Sequence, residues 1–144
     1  MAVIAWLSAL GCGTPPLVDA PYALCTDQLP AAPTFTNVRQ IFTTTCTRCH
    51  TAVELDLSVS DVYAHLIDKP PPTYVNPPTD ESCGMVLVKP GDPTASYLFA
   101  KLSLATPCAG LQMPLLVESG TPYPLPACEQ ALVHDWIAAG ALDD

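Results

Sequence analysis

The apolar positions of this chain fall into four stripes at helical spacing, separated by proline-rich stretches, and no segment shows the alternation of a half-buried strand. Phe35, Val38, Ile41 and Phe42 share one face and predict a helix from about Thr36 to Cys46. Val62, Tyr63 and Leu66 predict a second from about Ser60 to Asp68, with Ser60 or Asp61 as its cap and Pro70-Pro71-Pro72 as its stop. A third follows Pro90-Gly91-Asp92-Pro93. Asp92 suits the N-cap, Pro93 suits the first helical position, and Ala95, Leu98, Phe99 and Leu102 form the apolar face. The fourth runs from about Ala127 to Ala139 with Leu132, Val133, Trp136 and Ile137 as its stripe and Gly140 as its C-terminal cap. Proline-rich loops lie between them at Lys69 to Pro78 and Thr121 to Pro126. With no internal repeat or second domain, the expectation is an all-α fold of about four helices joined by long Pro-rich loops.

The N-terminus breaks this pattern. Met1 to Leu10 is apolar and uncharged, which reads as an export signal too short to cross a bilayer as a helix. Leu7-Ser8-Ala9-Leu10-Gly11-Cys12 resembles a bacterial lipobox, in which cleavage precedes a cysteine whose sulfur is then acylated. It departs from that pattern at Ala9, where leucine is usual, and no Lys or Arg precedes the apolar run. An ordinary signal peptide or a buried segment is the alternative. The expected organisation is a signal peptide of lipoprotein type at 1–11, an extended tether at 12–33 and a folded domain at 34–144. Composition supports a real core, since 49% of the 144 residues are apolar and only 13% charged. The net charge of −9 argues against binding nucleic acid or an anionic membrane surface through charge; it would favour a basic docking partner, with a merely solvated acidic surface as the alternative.

The densest chemistry is Cys46-Thr47-Arg48-Cys49-His50, which matches C-x-x-C-H, the attachment pattern of a c-type haem. Each cysteine S–H adds across a porphyrin vinyl group to form a thioether, two intervening residues span the macrocycle edge, and His50 offers an imidazole as axial iron ligand. A redox C-x-x-C of thioredoxin type would need a βαβ context, and a structural zinc site would need a second ligand pair; neither is present in the sequence. The other cysteines fit an oxidising compartment. With Cys12 assigned to lipid and Cys46 and Cys49 to haem, Cys25, Cys83, Cys108 and Cys128 remain, enough for two disulfides. Three connectivities are possible. Cys83–Cys108, closing the loops around one predicted helix, and Cys25–Cys128, pinning the tether to the last helix, are favoured; free buried thiols are the alternative.

A haem iron held by one histidine has an open face. Met113, in Leu111-Gln112-Met113-Pro114 between the third and fourth predicted helices, is the expected sixth ligand, because a thioether suits ferrous iron and Pro114 biases the preceding residue towards an extended conformation. Met85, His65 and His134 are its rivals, with gap-filling in the core as Met113's other role. Phe42, Leu98, Leu102, Leu111 and Trp136 are expected pocket residues, each also eligible as ordinary core. Arg48 and Tyr97 are candidates to meet a propionate.

On Cys46-Thr47-Arg48-Cys49-His50, Met113-Pro114 and the terminal Trp136-Ile137-Ala138-Ala139-Gly140-Ala141, the chain resembles a bacterial class I monohaem c-type cytochrome. More narrowly, Val88-Lys89-Pro90-Gly91-Asp92-Pro93 with Ser96-Tyr97-Leu98 resembles exported cytochrome-like domains of myxobacteria and planctomycetes. The resemblance covers roughly Thr34 to Asp144. It implies a cytochrome c-like helical fold around one covalent haem c, with N- and C-terminal helices crossing, His50 proximal and Met113 distal. The four extra cysteines and long Pro-rich loops depart from the simplest members. The function expected is an exported, lipid-anchored periplasmic or envelope electron carrier, not an enzyme, with unidentified redox proteins as donor and acceptor. The alternatives are an electron-accepting haem subunit of a larger redox enzyme complex, a haem-based ligand-binding or sensor module, and a disulfide-stabilised domain without haem.

Overall fold

The computed structural model describes residues 32–53, 55–72 and 84–144. The expected signal peptide and most of the tether, with Cys12, Cys25 and Cys83, lie outside the described residues. The rest is mostly helical, with three α-helices: α1 Phe35–Ile41, α2 Tyr97–Ser103 and α3 Ala127–Ala138. No strand forms among the described residues, only isolated bridges such as Ile67 with Val88 and Val86 with Ser96. No helix of the described residues is long and apolar enough to cross a membrane.

α1 and α3 pack together, and α2 packs on α3. Phe35, Val38, Ile41 and Phe42 enter one core with Leu132, Val133, Trp136 and Ile137. Phe35 is its aromatic junction, with ring centroids 5.4 Å from Trp136 and 5.1 Å from Tyr63. The start of α1 is closed from two directions. Thr34 Oγ1 accepts the Asn37 N–H at 3.3 Å, while Asp144 accepts the Phe35 N–H through its carboxylate at 2.9 Å and the Thr36 N–H through its backbone carbonyl at 3.0 Å. The first three N–H groups of α1, which have no partner inside a helix, are thereby satisfied.

At the other end of the core, α3 stops in a Schellman turn. The Ala141 N–H reaches the Trp136 carbonyl at 2.9 Å and the Gly140 N–H reaches Ile137 at 3.0 Å. Gly140 takes φ +106°, a backbone conformation open to glycine and costly for residues with a Cβ.

Two expected helices are shorter than the periodicity predicts. The segment expected as a helix over Ser60 to Asp68 makes only one 3₁₀ turn, Val62–His65, and Asp61 does not cap it through its side chain. Tertiary pairing overrides the helical stripe: Val88 gives its N–H to Leu66 at 3.1 Å and accepts from Asp68 at 2.9 Å. Val62 and Leu66 are still fully buried, so the face was legible while the winding was not. After Pro93, the chain makes a 3₁₀ turn, Pro93–Ala95, and restarts as α2. Asp92 caps that turn as expected, accepting from Thr94 N at 3.0 Å and Ala95 N at 3.1 Å. Ser96 causes the break. It is fully buried and extended (ψ 112°), and its hydroxyl donates to the Asp92 carbonyl at 2.8 Å while accepting the Lys89 N–H at 2.8 Å. The first N–H groups of α2 go instead to the carbonyls of Val86 and Leu87, at 2.8 and 2.9 Å.

Candidate functional site

α1 does not continue as an α-helix to Cys46. From Phe42 to Cys46 it widens into a π-helical turn. Two of the three threonines before Cys46 account for this locally. Thr43 and Thr44 turn their hydroxyls back onto the Gln40 carbonyl, at 3.0 and 2.9 Å. Such back-bonding competes with the backbone ladder, and the Thr47 N–H slips one residue further, to the Phe42 carbonyl at 3.0 Å. π-turns concentrate at functional sites because they re-aim the residues beyond them.

The π-turn leads directly into the C-x-x-C-H turn. The Cys46 carbonyl accepts both the Cys49 N–H, at 3.1 Å, and the His50 N–H, at 3.0 Å. That i, i+3 turn brings the two cysteine positions to one side of the chain. The exit is fixed as well. The Leu57 N–H bonds the His50 carbonyl at 2.9 Å, and Asp56 accepts from Ala52 N at 3.0 Å and Ser58 N at 2.8 Å. The Ser58 hydroxyl first, then these N–H groups, hold the Asp56 carboxyl below the usual carboxylate range.

The four described cysteines divide by state. Cys46, half-buried, and Cys49, exposed, are free thiols. Cys108 and Cys128 are disulfide-bonded, and the partners expected for them, Cys83 and Cys25, lie outside the described residues. Burial pushes the Cys46 thiol up to about 12, with the Glu129 carboxylate and Cys49 adding to the shift. Thiol–disulfide oxidoreductases need the opposite, a thiol depressed towards neutrality so that a thiolate attacks. Among the described residues, no group of three or more His, Cys, Asp or Glu side chains is gathered as a metal cage. The raised Cys46 thiol weighs against the redox alternative.

His50 supplies the sharpest feature. Its Nδ1 is buried without a hydrogen-bond partner, and among the described residues it is the one side-chain nitrogen or oxygen in that state. Leaving such a group unpaired costs about 1–3 kcal/mol. An imidazole with a buried, unclaimed nitrogen directly after two free thiols fits a haem that takes both thiols as thioethers and the ring as axial ligand.

Met113 is half-buried and, like Cys46, packs against the one hydrophobic core. Its rivals are differently placed. His65 is exposed and lies 3.4 Å from the Asp61 carboxylate. His134 engages Asp135 through Nδ1 at 2.8 Å and sets its ring 5.2 Å from Phe99. Met85 is half-buried. Among the expected pocket residues, Phe42, Leu102 and Trp136 are core, and Leu98 is partly buried against it. Trp136 faces the junction with α1, where its indole N–H donates to the Leu142 carbonyl at 2.9 Å. Leu111 departs from the expected pocket wall, being 52% exposed. Arg48 is exposed, and Tyr97 lies with its ring centroid 5.9 Å from Lys101 Nζ.

A cavity of about 470 Å³ opens between the start of α1, the Ser60–Ala64 segment and Asp143–Asp144, but neither the C-x-x-C-H residues nor Met113 line it. Two residues near the site carry no motif that sequence reasoning could find. Glu129 stands close enough to raise the Cys46 thiol, and burial raises its own carboxyl. Gln112 is buried beside Met113. Its one sequence signal is a polar amide inside the apolar run Leu111 to Leu116. No protein-family model, curated protein or solved structure matches the chain.

Proposed function

We propose that this protein is an exported c-type cytochrome that carries single electrons through one covalent haem ligated by His50 and Met113. The observation that carries the reading is the C-x-x-C-H turn itself, with two free thiols on one side and a buried, unpaired imidazole nitrogen after them. When bound, the haem supplies a one-electron iron couple. The chain's own residues do the rest. Cys46 and Cys49 would hold the porphyrin through thioethers, which would retain the cofactor regardless of redox state. His50 would supply an imidazole ligand to the iron. Met113 would supply a soft thioether, which would raise the reduction potential and leave no site for a substrate. The apolar core behind Phe42 and Leu102 keeps water from one side of the site and lowers the reorganisation that accompanies electron transfer.

Within this reading the fold is cytochrome c-like, with α1 and α3 as the crossing terminal pair. Cys12 carries a lipid that holds the protein at a membrane surface in the periplasm or cell envelope. The partners are redox proteins, and the net charge of −9 favours basic docking faces.

The test is production in a host that matures c-type cytochromes, followed by intact mass measurement and haem staining of the denatured protein. One covalent haem is expected on the native chain and none on the C46A/C49A double variant. Bare polypeptide mass from correctly matured material would overturn the proposal.

A further inference from the structure

The loop that carries Met113 is latched to the end of α2. α2 closes with the Leu104 N–H on the Ala100 carbonyl at 3.1 Å, which leaves the following carbonyls without partners inside the helix. The loop supplies partners for two of them. The Met113 backbone N–H donates to the Lys101 carbonyl at 2.7 Å, and the Gln112 side-chain amide donates to the Leu102 carbonyl at 2.9 Å. Lys101 returns the contact, its ammonium donating to the Ala109 carbonyl at 3.0 Å. Gly110 fits beneath that ammonium at φ +65°, where a Cβ would come within 3.1 Å of it. Three successive features of the loop, Ala109, Gln112 and Met113, are therefore tied to two successive residues of α2, Lys101 and Leu102.

Gln112 is the distinctive member. It is 8% exposed, and its amide is spent on a helix-end carbonyl. Replacing it by an apolar residue leaves that carbonyl unmet and frees the loop on the N-terminal side of Met113. Pre-organisation sets how strongly a ligand on a loop is held, because the population of opened loop scales directly with the loss of its anchors.

We propose that Gln112 is a positioning residue that locks the Met113 loop onto the end of α2 and so sets the strength of the Met113–iron bond. The inference rests on the His50/Met113 reading. Its readouts are the red charge-transfer band of methionine-ligated ferric haem and the affinity for added imidazole, which competes with Met113. The apparent affinity for imidazole rises in proportion to the fraction of loop that is open.

The control is a second buried glutamine in the same kind of bond. Gln130 Nε2 donates to the Leu125 carbonyl at 2.8 Å, tying α3 to the segment before it rather than the Met113 loop to α2. The expected result is that Gln112→Leu binds imidazole at least about tenfold more tightly than the native protein, equivalent to about 1.4 kcal/mol of lost loop closure. Gln130→Leu should stay within about twofold of native. Equal behaviour of the two variants overturns the proposal. Hydrogen exchange on the unaltered holoprotein tests it without substitution. The Met113 amide should be protected like the Leu104 amide in the last turn of α2, and exchange at the rate of the exposed Val117 and Glu118 amides would refute the latch. Absence of the charge-transfer band from the native protein would instead sink methionine ligation, which separates the two failures.

Discussion

At the residue scale, the sulfur of Met113 and two carboxyl groups make separable predictions. On the proposed haem reading, Met113→Ala should remove the red charge-transfer band of the ferric protein and let the ferrous protein bind carbon monoxide, whereas Met85→Ala should leave both spectra unchanged. The converse result would move the distal ligand to Met85. The carboxyls act on stability with opposite signs. Asp56 is held below the usual range, so its contribution is fully present above the ordinary Asp value of about 3.9 and is lost as pH falls through the lower folded value. Glu129 is raised by burial, so its fold prefers the protonated form. Stability falls as pH rises from the ordinary Glu value of about 4.3 through the higher folded value. Asp56→Asn should therefore flatten the acid limb of a stability-against-pH curve. Glu129→Gln should remove the decline above it and leave the protein more stable at neutral pH, as measured by urea unfolding. The candidate cysteines and histidine stood out as a motif because their spacing is local. Glu129 and Gln112 did not, because each acquires its role only when distant chain folds against it.

At the scale of elements, the sequence showed which faces would be buried better than how each segment would wind. Val62, Leu66, Leu102, Leu132 and Trp136 are buried as their stripes predict. The winding of three elements was redirected by hydroxyl groups or by tertiary pairing. Thr43 and Thr44 open α1 into a π-turn, Ser96 splits the third expected helix, and Val88 captures the Leu66–Asp68 segment. A threonine or serine in an apolar periodic run carries no local sign of whether it will return its hydroxyl to the backbone, so the stripe survives and the boundary does not. The exception is the end of α3, where a glycine states its purpose. Gly140 has φ +106° and open space where a Cβ would stand. Gly140→Ala should cost about 1 kcal/mol through backbone strain alone, since no neighbour is displaced. Thermal unfolding should show a lowered midpoint and, on the proposed haem reading, an unchanged haem spectrum, because the Schellman turn serves α3 and not the Met113 loop.

At the scale of the whole molecule, Asp144 and Phe35 stand 109 residues apart yet share the hydrogen bond that caps α1. No periodicity announces such a closure; it arises because α1 and α3 pack together, which brings the segment after α3 back to where α1 begins. Charge adds a second global property. Of five basic residues, Lys89 is paired with Asp68 and Lys101 is turned onto the Ala109 carbonyl, against fourteen acidic residues in the chain. The field at the surface is consequently negative at neutral pH, and its reach is set by salt, from about 30 Å at 0.01 M to about 10 Å at 0.1 M. If electrons leave through a face inside that field, raising ionic strength across this range should slow reaction of the reduced protein with a cationic small-molecule oxidant and speed it with an anionic one. Stopped-flow rates for both oxidants measure this directly. Opposite slopes would place the reacting face within the acidic field. Two flat responses would mean that the exposed apolar residues Leu111, Leu116, Val117 and Tyr123 near Met113, with Glu118 the one charged residue from Leu104 to Pro126, present a reacting face that the protein's net charge does not govern.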